Sequence, residues 1–150
     1  MGSRSVTYVY DSFSNIIIKM RRNFNEHPSE HGKELADFLN FYMSCIHRNR
    51  NSNNSNNYNT LEHLDPPIES IDKKDEIDMD NLAVNLISNF FKKYERDVTL
   101  ISPSRLTYYL PDYEYHIYSD KVKIIGLGYN KDYEVDWRTK DFRKFCMTIE

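Results

Sequence analysis

The sequence lacks any long apolar run, because no stretch of aliphatic side chains is longer than Ile16–Ile18. A helix that crosses a bilayer needs about 20 consecutive apolar residues, so no membrane-spanning segment is expected. Residues Met1–Ser5 lead into polar and β-branched sequence and form no signal-peptide core. The two cysteines, Cys45 and Cys146, are too few for a disulfide framework. These absences predict an intracellular protein, cytoplasmic or nuclear, that does not bind membranes.

Familiar catalytic and cofactor motifs are also missing. The sequence contains no phosphate-binding glycine loop, no dinucleotide fingerprint and no nucleophile elbow, and Gly126-Leu127-Gly128 has no strand-to-helix context. A net charge of −3 over 150 residues gives no general attraction to nucleic acid or to anionic lipid. We therefore predict that the protein is not an enzyme and uses no cofactor and no metal.

The middle of the chain is a polar, low-complexity tract rich in asparagine. Residues 51–80 carry eight acidic side chains against two lysines. A tract this polar buries too little apolar area to offset the conformational entropy that it would lose on folding. We predict one α+β domain over residues 1–150, in which a flexible insertion at about 49–77 separates two parts. The first part (1–48) is predicted to be mainly helical, and the second (78–150) has the order α-β-β-β-β-α.

Helices are predicted on both sides of the tract because apolar side chains recur there with a helical period. The first pattern consists of Phe13, Ile16, Ile17, Met20 and Phe24, preceded by Ser12 as N-cap. The second consists of Leu35, Phe38, Leu39, Tyr42, Met43 and Ile46. A third helix is predicted from Asp80, its candidate cap, to Tyr94. Upstream of all three, β-branched and aromatic residues 6–10 predict a strand.

Beyond Asp97 the period of the pattern changes from about 3.6 to 2, which is typical of half-buried antiparallel strands. Strands are predicted at residues 113–118, 121–124 and 132–138, and residues 98–101 and 106–110 are candidates for two more. A last short helix is predicted around Phe142 and Phe145. The predicted fold is α+β: a two-layer sandwich of an antiparallel β-meander packed against three to four helices, with a long disordered insertion.

Two short motifs resemble catalytic signatures, but local structure explains them better. His27-Pro28-Ser29-Glu30-His31 has the H-x-x-E-H spacing of inverted zinc proteases. However, Pro28 between the two histidines predicts a turn before a helix. Arg22 and His27 match the R-N-x-x-x-H signature of a helical ribonuclease group, which requires an all-helical fold. Neither motif is therefore predicted to be catalytic.

Carboxylates alternate along the last predicted strand, at Asp132, Glu134 and Asp136. Alternate strand residues point to the same face, where three carboxylates would be able to share a metal ion. The same alternation is typical of any exposed strand face. A small metal-dependent hydrolase or nuclease therefore remains the second alternative.

Seven tyrosines lie between Tyr108 and Tyr133, and aromatic side chains on a sheet can stack on bases. Binding of nucleic acid also needs a positive field for the phosphates. The predicted outer face of the sheet carries both acids and bases, so this face disfavours nucleic acid. Binding of RNA or single-stranded DNA remains the first alternative.

Apolar side chains in two segments exceed what one helical stripe requires, and such a surplus indicates a protein interface. We predict an adaptor, or a subunit of a multiprotein complex, that binds another protein through apolar helix faces and an aromatic-rich sheet. A homodimer is a further prediction. The candidate partner-binding residues are Ile16, Ile17, Ile18, Met20, Phe90, Phe91, Tyr109 and Tyr118.

Overall fold

A computed structural model gives the fold and describes the chain in seven stretches. These are residues 4–23, 27–56, 77–94, 96–104, 111–127, 131–138 and 141–148, of which 47–56, 131 and 141 are described by their backbone alone. The strands are β1 (Ser5–Tyr10), β2 (Ile16–Arg22), β3 (Val98–Ile101), β4 (Tyr113–Ile117), β5 (Val122–Gly126) and β6 (Lys131–Val135). A π-helical turn (Pro28–Gly32) leads into α1 (Lys33–Asn56), and α2 (Met79–Tyr94) and α3 (Asp141–Thr148) follow later.

The strands form one six-stranded mixed sheet in the order β3-β2-β1-β4-β5-β6. Neighbouring strands are antiparallel except for β1 and β4, which are parallel with Val6 opposite Glu114 and Val9 opposite Ile117. The predicted α+β fold is confirmed. The sheet differs from a purely antiparallel meander in this one central pair, which joins segments more than 100 residues apart in the sequence.

All described helices pack on the same face of the sheet. The side chains that point to the helices alternate along the central strands, as Thr7 and Val9 in β1 and Tyr115 and Ile117 in β4. His31, in the π-helical turn, packs its ring against Tyr115 of β4 and Phe90 of α2. The opposite face of the sheet has no described helix on it.

The prediction of a helix over residues 13–24 is wrong, because this segment forms β2 after a tight turn. Ser12, the predicted N-cap, lies in the turn, where the carboxylate of Asp11 accepts hydrogen bonds from the backbone N–H groups of Phe13 and Asn15, both at 2.8 Å. Ser14 has a φ of 67°, a value that a turn requires. The β-branched run in β2 then pairs with β1, with one irregularity beside Tyr10.

The other predicted helices exist, with different ends. Asp78 caps α2, since its Oδ1 accepts a hydrogen bond from the backbone N–H of Asn81 at 3.2 Å, so the predicted cap at Asp80 is two residues too late. Helix α1 continues into the asparagine-rich tract as far as Asn56, and the rest of the predicted insertion, 57–76, lies outside the described residues. The predicted strand at 106–110 also lies outside them. None of the described helices combines the length and the apolar composition needed to cross a membrane.

Candidate functional site

The predicted partner-binding residues do not form one surface. Met20 and Phe90 are buried in the core, where a partner does not reach them. Ile16–Ile18 are half-buried in β2, and Phe91 is half-buried on α2 against the edge of the core. The surplus apolar side chains of these two segments are therefore largely used inside the fold.

Four aromatic rings form a row on the sheet face that carries no described helix. They belong to Tyr8 and Tyr10 of β1, His116 of β4 and Tyr118, which directly follows β4. The ring centroids are 4.5 Å apart from Tyr8 to His116, 5.7 Å from His116 to Tyr10 and 4.3 Å from Tyr10 to Tyr118. All three pairs are stacked, so the faces of the rings contact one another. Tyr109, predicted to join such a surface, lies outside the described residues.

A lysine lies at each end of this aromatic row. The Nζ atom of Lys19 is 5.5 Å from the Tyr8 ring centroid, and that of Lys121 is 5.4 Å from the Tyr118 ring centroid. Both distances are within cation–π range. Tyr8 lies between Lys19 and His116 because the strand register places these three residues side by side. A base stacks on a free ring face, so the row does not favour nucleic-acid binding.

The row also contains a chain of hydrogen bonds. Tyr10 Oη lies 2.7 Å from Nδ1 of His116, and Nε2 of His116 lies 3.0 Å from the Glu114 carboxylate. Burial and the neighbouring Tyr118 raise the pKa of Tyr10 far above its usual value. Tyr10 therefore keeps its proton at neutral pH. The chain fixes the row rather than activating a group in it.

A buried polar cluster connects β1 and β2 to the helices. The guanidinium of Arg22, a residue only 1% exposed, donates to the Glu34 carboxylate and to Nδ1 of His31 at 3.0 Å, and its Cζ lies 4.2 Å from the Tyr94 ring centroid. Because arginine only donates, Nδ1 of His31 accepts, and Nε2 donates to Thr7 Oγ1 at 2.8 Å. Burial and the Arg22 charge hold the pKa of His31 well below its usual value, so His31 is neutral. We call these five residues the Arg22 cluster.

The Arg22 cluster explains the two catalytic-like motifs. His31 uses both ring nitrogens on protein partners, His27 packs edge-on against Tyr113 at 5.5 Å, and Glu30 is exposed. The guanidinium of Arg22 is committed to Glu34 and His31 and is closed to an RNA phosphate. Among the described residues, no three histidine, cysteine or carboxylate side chains lie close enough together to hold a metal ion. This holds for the carboxylates of β6 as well.

Two adjoining hollows form a groove between α1 and α2. Their volumes are about 330 and about 350 Å³, and both are lined by Phe38, Phe41 and Asn89. The first hollow continues towards Glu34 and Tyr94, and therefore towards the mouth of the Arg22 cluster. Phe41 is 62% exposed at the position where the hollows meet, which is unusual for an aromatic side chain on a helix.

The second hollow is apolar on the α1 side and polar on the α2 side. Ile46 and Cys45 line it from α1, and the amides of Asn81 and Asn85 line it from α2. The Tyr42 hydroxyl donates to Oδ1 of Asn81 at 2.7 Å and so joins the two helices across its floor. An apolar wall opposite a row of amides suits a protein segment, because such a segment offers both apolar side chains and backbone hydrogen-bonding groups.

Our sequence interpretation missed Phe41. The apolar stripe of α1 was defined by side chains on one side of the helix, and Phe41 lies off that stripe. An apolar side chain outside a helical stripe is itself a signal of exposure, and Val84 on α2, 61% exposed, is a second example. Phe13, predicted to lie in a helical stripe, is instead 83% exposed at the tip of the β1–β2 hairpin.

The two cysteines provide a first test of the groove. Burial raises the pKa of the Cys146 thiol to about 12, so its thiolate fraction at pH 8 is about 1 in 10⁴. Cys45 is only half-buried and lines the groove. We expect a thiol reagent at pH 8 to modify one equivalent in the folded protein and a second only after unfolding in urea. Cys45→Ser is expected to abolish the first phase, and two equivalents reacting at one rate would contradict this placement.

Comparison of the chain with protein-family models, with curated proteins and with solved structures finds no match in any of the three.

Proposed function

We propose that the protein is a non-enzymatic protein-binding module that receives an apolar segment of a partner protein in the groove between α1 and α2. The observation that carries this proposal is the exposure of Phe41 between two hollows of side-chain size. Aromatic side chains in such positions supply a large share of the binding energy at protein interfaces. As in the sequence-based prediction, the proposed partner binds to an apolar helix face, but the residues that bind it are different.

The shape of the groove supports a particular kind of partner segment. In the proposed complex an apolar side chain enters each hollow, one on either side of the Phe41 ring, and the charged groups of Glu34, Asp37 and Lys93 border the first of them. Asn81, Asn85 and Asn89 follow one another at intervals of four residues along the α2 wall. Oδ1 of Asn81 accepts from Tyr42 and from the amide of Asn85, so we propose that Asn89 offers its amide to the polar groups of the segment. We therefore propose an amphipathic helix or an extended peptide with two apolar anchors as the occupant.

The proposal is tested by replacing Phe41 with aspartate. Docking of a partner removes about 100 Å² of Phe41 surface from water, which is worth about 2.5 kcal/mol, or nearly two orders of magnitude in affinity. A photo-reactive phenylalanine at position 41, incorporated in the native cell, identifies the partner by mass spectrometry. Calorimetry with the purified partner is then expected to show a loss of affinity of about 50-fold for Phe41→Asp.

Phe13→Asp is the matched control, because Phe13 is also an exposed phenylalanine (83%), lies at the tip of the β1–β2 hairpin and does not line the groove. It is expected to bind the partner with unchanged affinity. Equal losses for the two variants, or cross-linking of the partner from position 13 but not from position 41, would show that the groove is not the binding site. Unfolding curves for both variants confirm that each remains folded.

A further inference from the structure

The two edges of the sheet differ in how they are protected from pairing. β6 carries charged side chains at Asp132 and Glu134, the usual protection of an edge strand. β3 has the sequence Val-Thr-Leu-Ile without any charge, and no strand in the described part of the chain pairs with its outer edge. Leu100 in β3 is 47% exposed although it lies on the face that the helices cover.

Apolar side chains of α2 extend this edge. α2 lies over β2, with β1 and β3 on either side. Its groove-lining asparagines face α1, and Val84, Ile87 and Phe91 lie together at helical spacing on the flank turned away from α1. Val84 is exposed, and Ile87 and Phe91 are only half-buried. Leu100, Val84, Ile87 and Phe91 therefore form one apolar edge surface, which we call the β3 edge.

We propose that the β3 edge is a dimer interface in which β3 pairs antiparallel with β3 of a second copy of the chain. An extended peptide would pair with the backbone N–H and C=O groups of β3 but would leave the apolar flank of α2 uncovered. A second copy supplies a strand and an apolar helix flank in the same relative positions, because a two-fold interface brings each surface against itself. Self-pairing also brings no like charges together, since β3 has none.

The side-chain pattern fixes the register of this pairing. Val98 and Leu100 point to the helix side, and Thr99 and Ile101 to the other side. A two-fold axis at Leu100 keeps both faces matched, with Leu100 opposite Leu100 of the second copy and Thr99 opposite its Ile101. With strands about 4.8 Å apart, the two α2 axes then stand about 14 Å apart, with Ile87 and Phe91 of each copy on the flank that faces the other copy.

Sedimentation equilibrium between about 1 and about 100 µM is expected to show a reversible monomer–dimer equilibrium. Leu100→Lys is expected to raise the dimer dissociation constant at least tenfold, because it buries two charges at the axis. Circular dichroism verifies that this partly exposed position tolerates lysine. A monomer at every concentration, or a dimer unaffected by Leu100→Lys, overturns the proposal.

Cross-linking tests the register. In a Cys45→Ser background, Leu100→Cys is expected to form an intermolecular disulfide on mild oxidation, because opposed strand residues lie within disulfide reach. Phe41→Cys, equally accessible, is expected to stay monomeric under the same conditions. Cross-linking through position 41 alone would place the contact in the groove and overturn the β3 pairing. Phe41→Asp leaves the dimer intact, and Leu100→Lys leaves the affinity of the groove for its partner intact, so the two proposals fail separately.

Discussion

Replacing Arg22 by alanine is expected to lower the free energy of unfolding by about 3 kcal/mol, the lower end of the usual cost of breaking a buried ion pair from one side, because the Glu34 side chain is 27% exposed. The substitution leaves the Glu34 carboxylate and Nδ1 of His31 without their donor and removes the contact with the Tyr94 ring. Urea unfolding followed by circular dichroism measures the change, and an unchanged m-value shows that the two-state description still applies.

The Arg143–Asp37 ion pair is a matched control on the surface. Its Nε–Oδ1 distance is 2.9 Å, but both side chains are about half exposed. Arg143→Ala is expected to cost less than about 1 kcal/mol, because solvent screens an exposed pair. If Arg22→Ala is no more destabilising than Arg143→Ala, the Arg22 cluster does not hold the sheet to the helices.

A double replacement separates the ion pair from its surroundings. Replacing both Arg22 and Glu34 by methionine removes the two charges while keeping similar volumes, so no buried charge is left unpaired. We expect the double variant to be more stable than Arg22→Met alone by about 1–3 kcal/mol. A double variant as unstable as the sum of the two single variants would show that Arg22 and Glu34 act independently.

The sheet could be predicted from the sequence wherever side chains alternate clearly between buried and exposed. The buried positions Tyr113, Tyr115 and Ile117 of β4 and Val122 and Ile124 of β5 match the prediction, because antiparallel hairpins are specified by neighbouring segments. The parallel pairing of β1 with β4 was not predictable in this way. It depends on contacts across more than 100 residues, which no local pattern encodes.

β2 shows why a periodic pattern alone can mislead. Phe13, Ile16, Ile17 and Met20 have helical spacing, yet the same segment contains three consecutive β-branched residues, which favour a strand. The segment forms a strand because it pairs with β1 on one side and with β3 on the other. Ile16–Ile18 are half-buried on both faces of the strand, so the segment is a continuous apolar run. Sequence analysis does not distinguish such a run from a wide helical stripe.

The candidate sites were harder to predict than the fold. Arg22 and His31 were recognised as members of motifs and Glu34 was not, and the sequence does not show that Arg22 and His31 are buried or that they bind each other. Burial converts residues with catalytic-like spacing into a structural network. The groove was missed because Phe41 belongs to no apolar stripe and was not considered. Its exposure depends on how α1 and α2 pack, which the sequence does not show.

The pH dependence of stability provides a test of the neutral state of His31. Its pKa is held well below 6.5 in the folded protein, whereas in the unfolded chain it returns to about 6.5. Below pH 6.5 the unfolded state therefore binds a proton that the folded state does not. The contribution of His31 to stability is fully present above pH 6.5 and is lost as the pH falls, with a slope approaching about 1.4 kcal/mol per pH unit.

We therefore expect the free energy of unfolding of the wild type to fall more steeply between pH 6.5 and pH 5 than that of His31→Asn. Asparagine does not titrate, so the variant, although less stable at neutral pH, loses this part of the slope. Urea unfolding at half-unit pH steps measures both curves. A wild-type slope in His31→Asn would mean that His31 takes up a proton in the folded state, contrary to its position beside the Arg22 guanidinium.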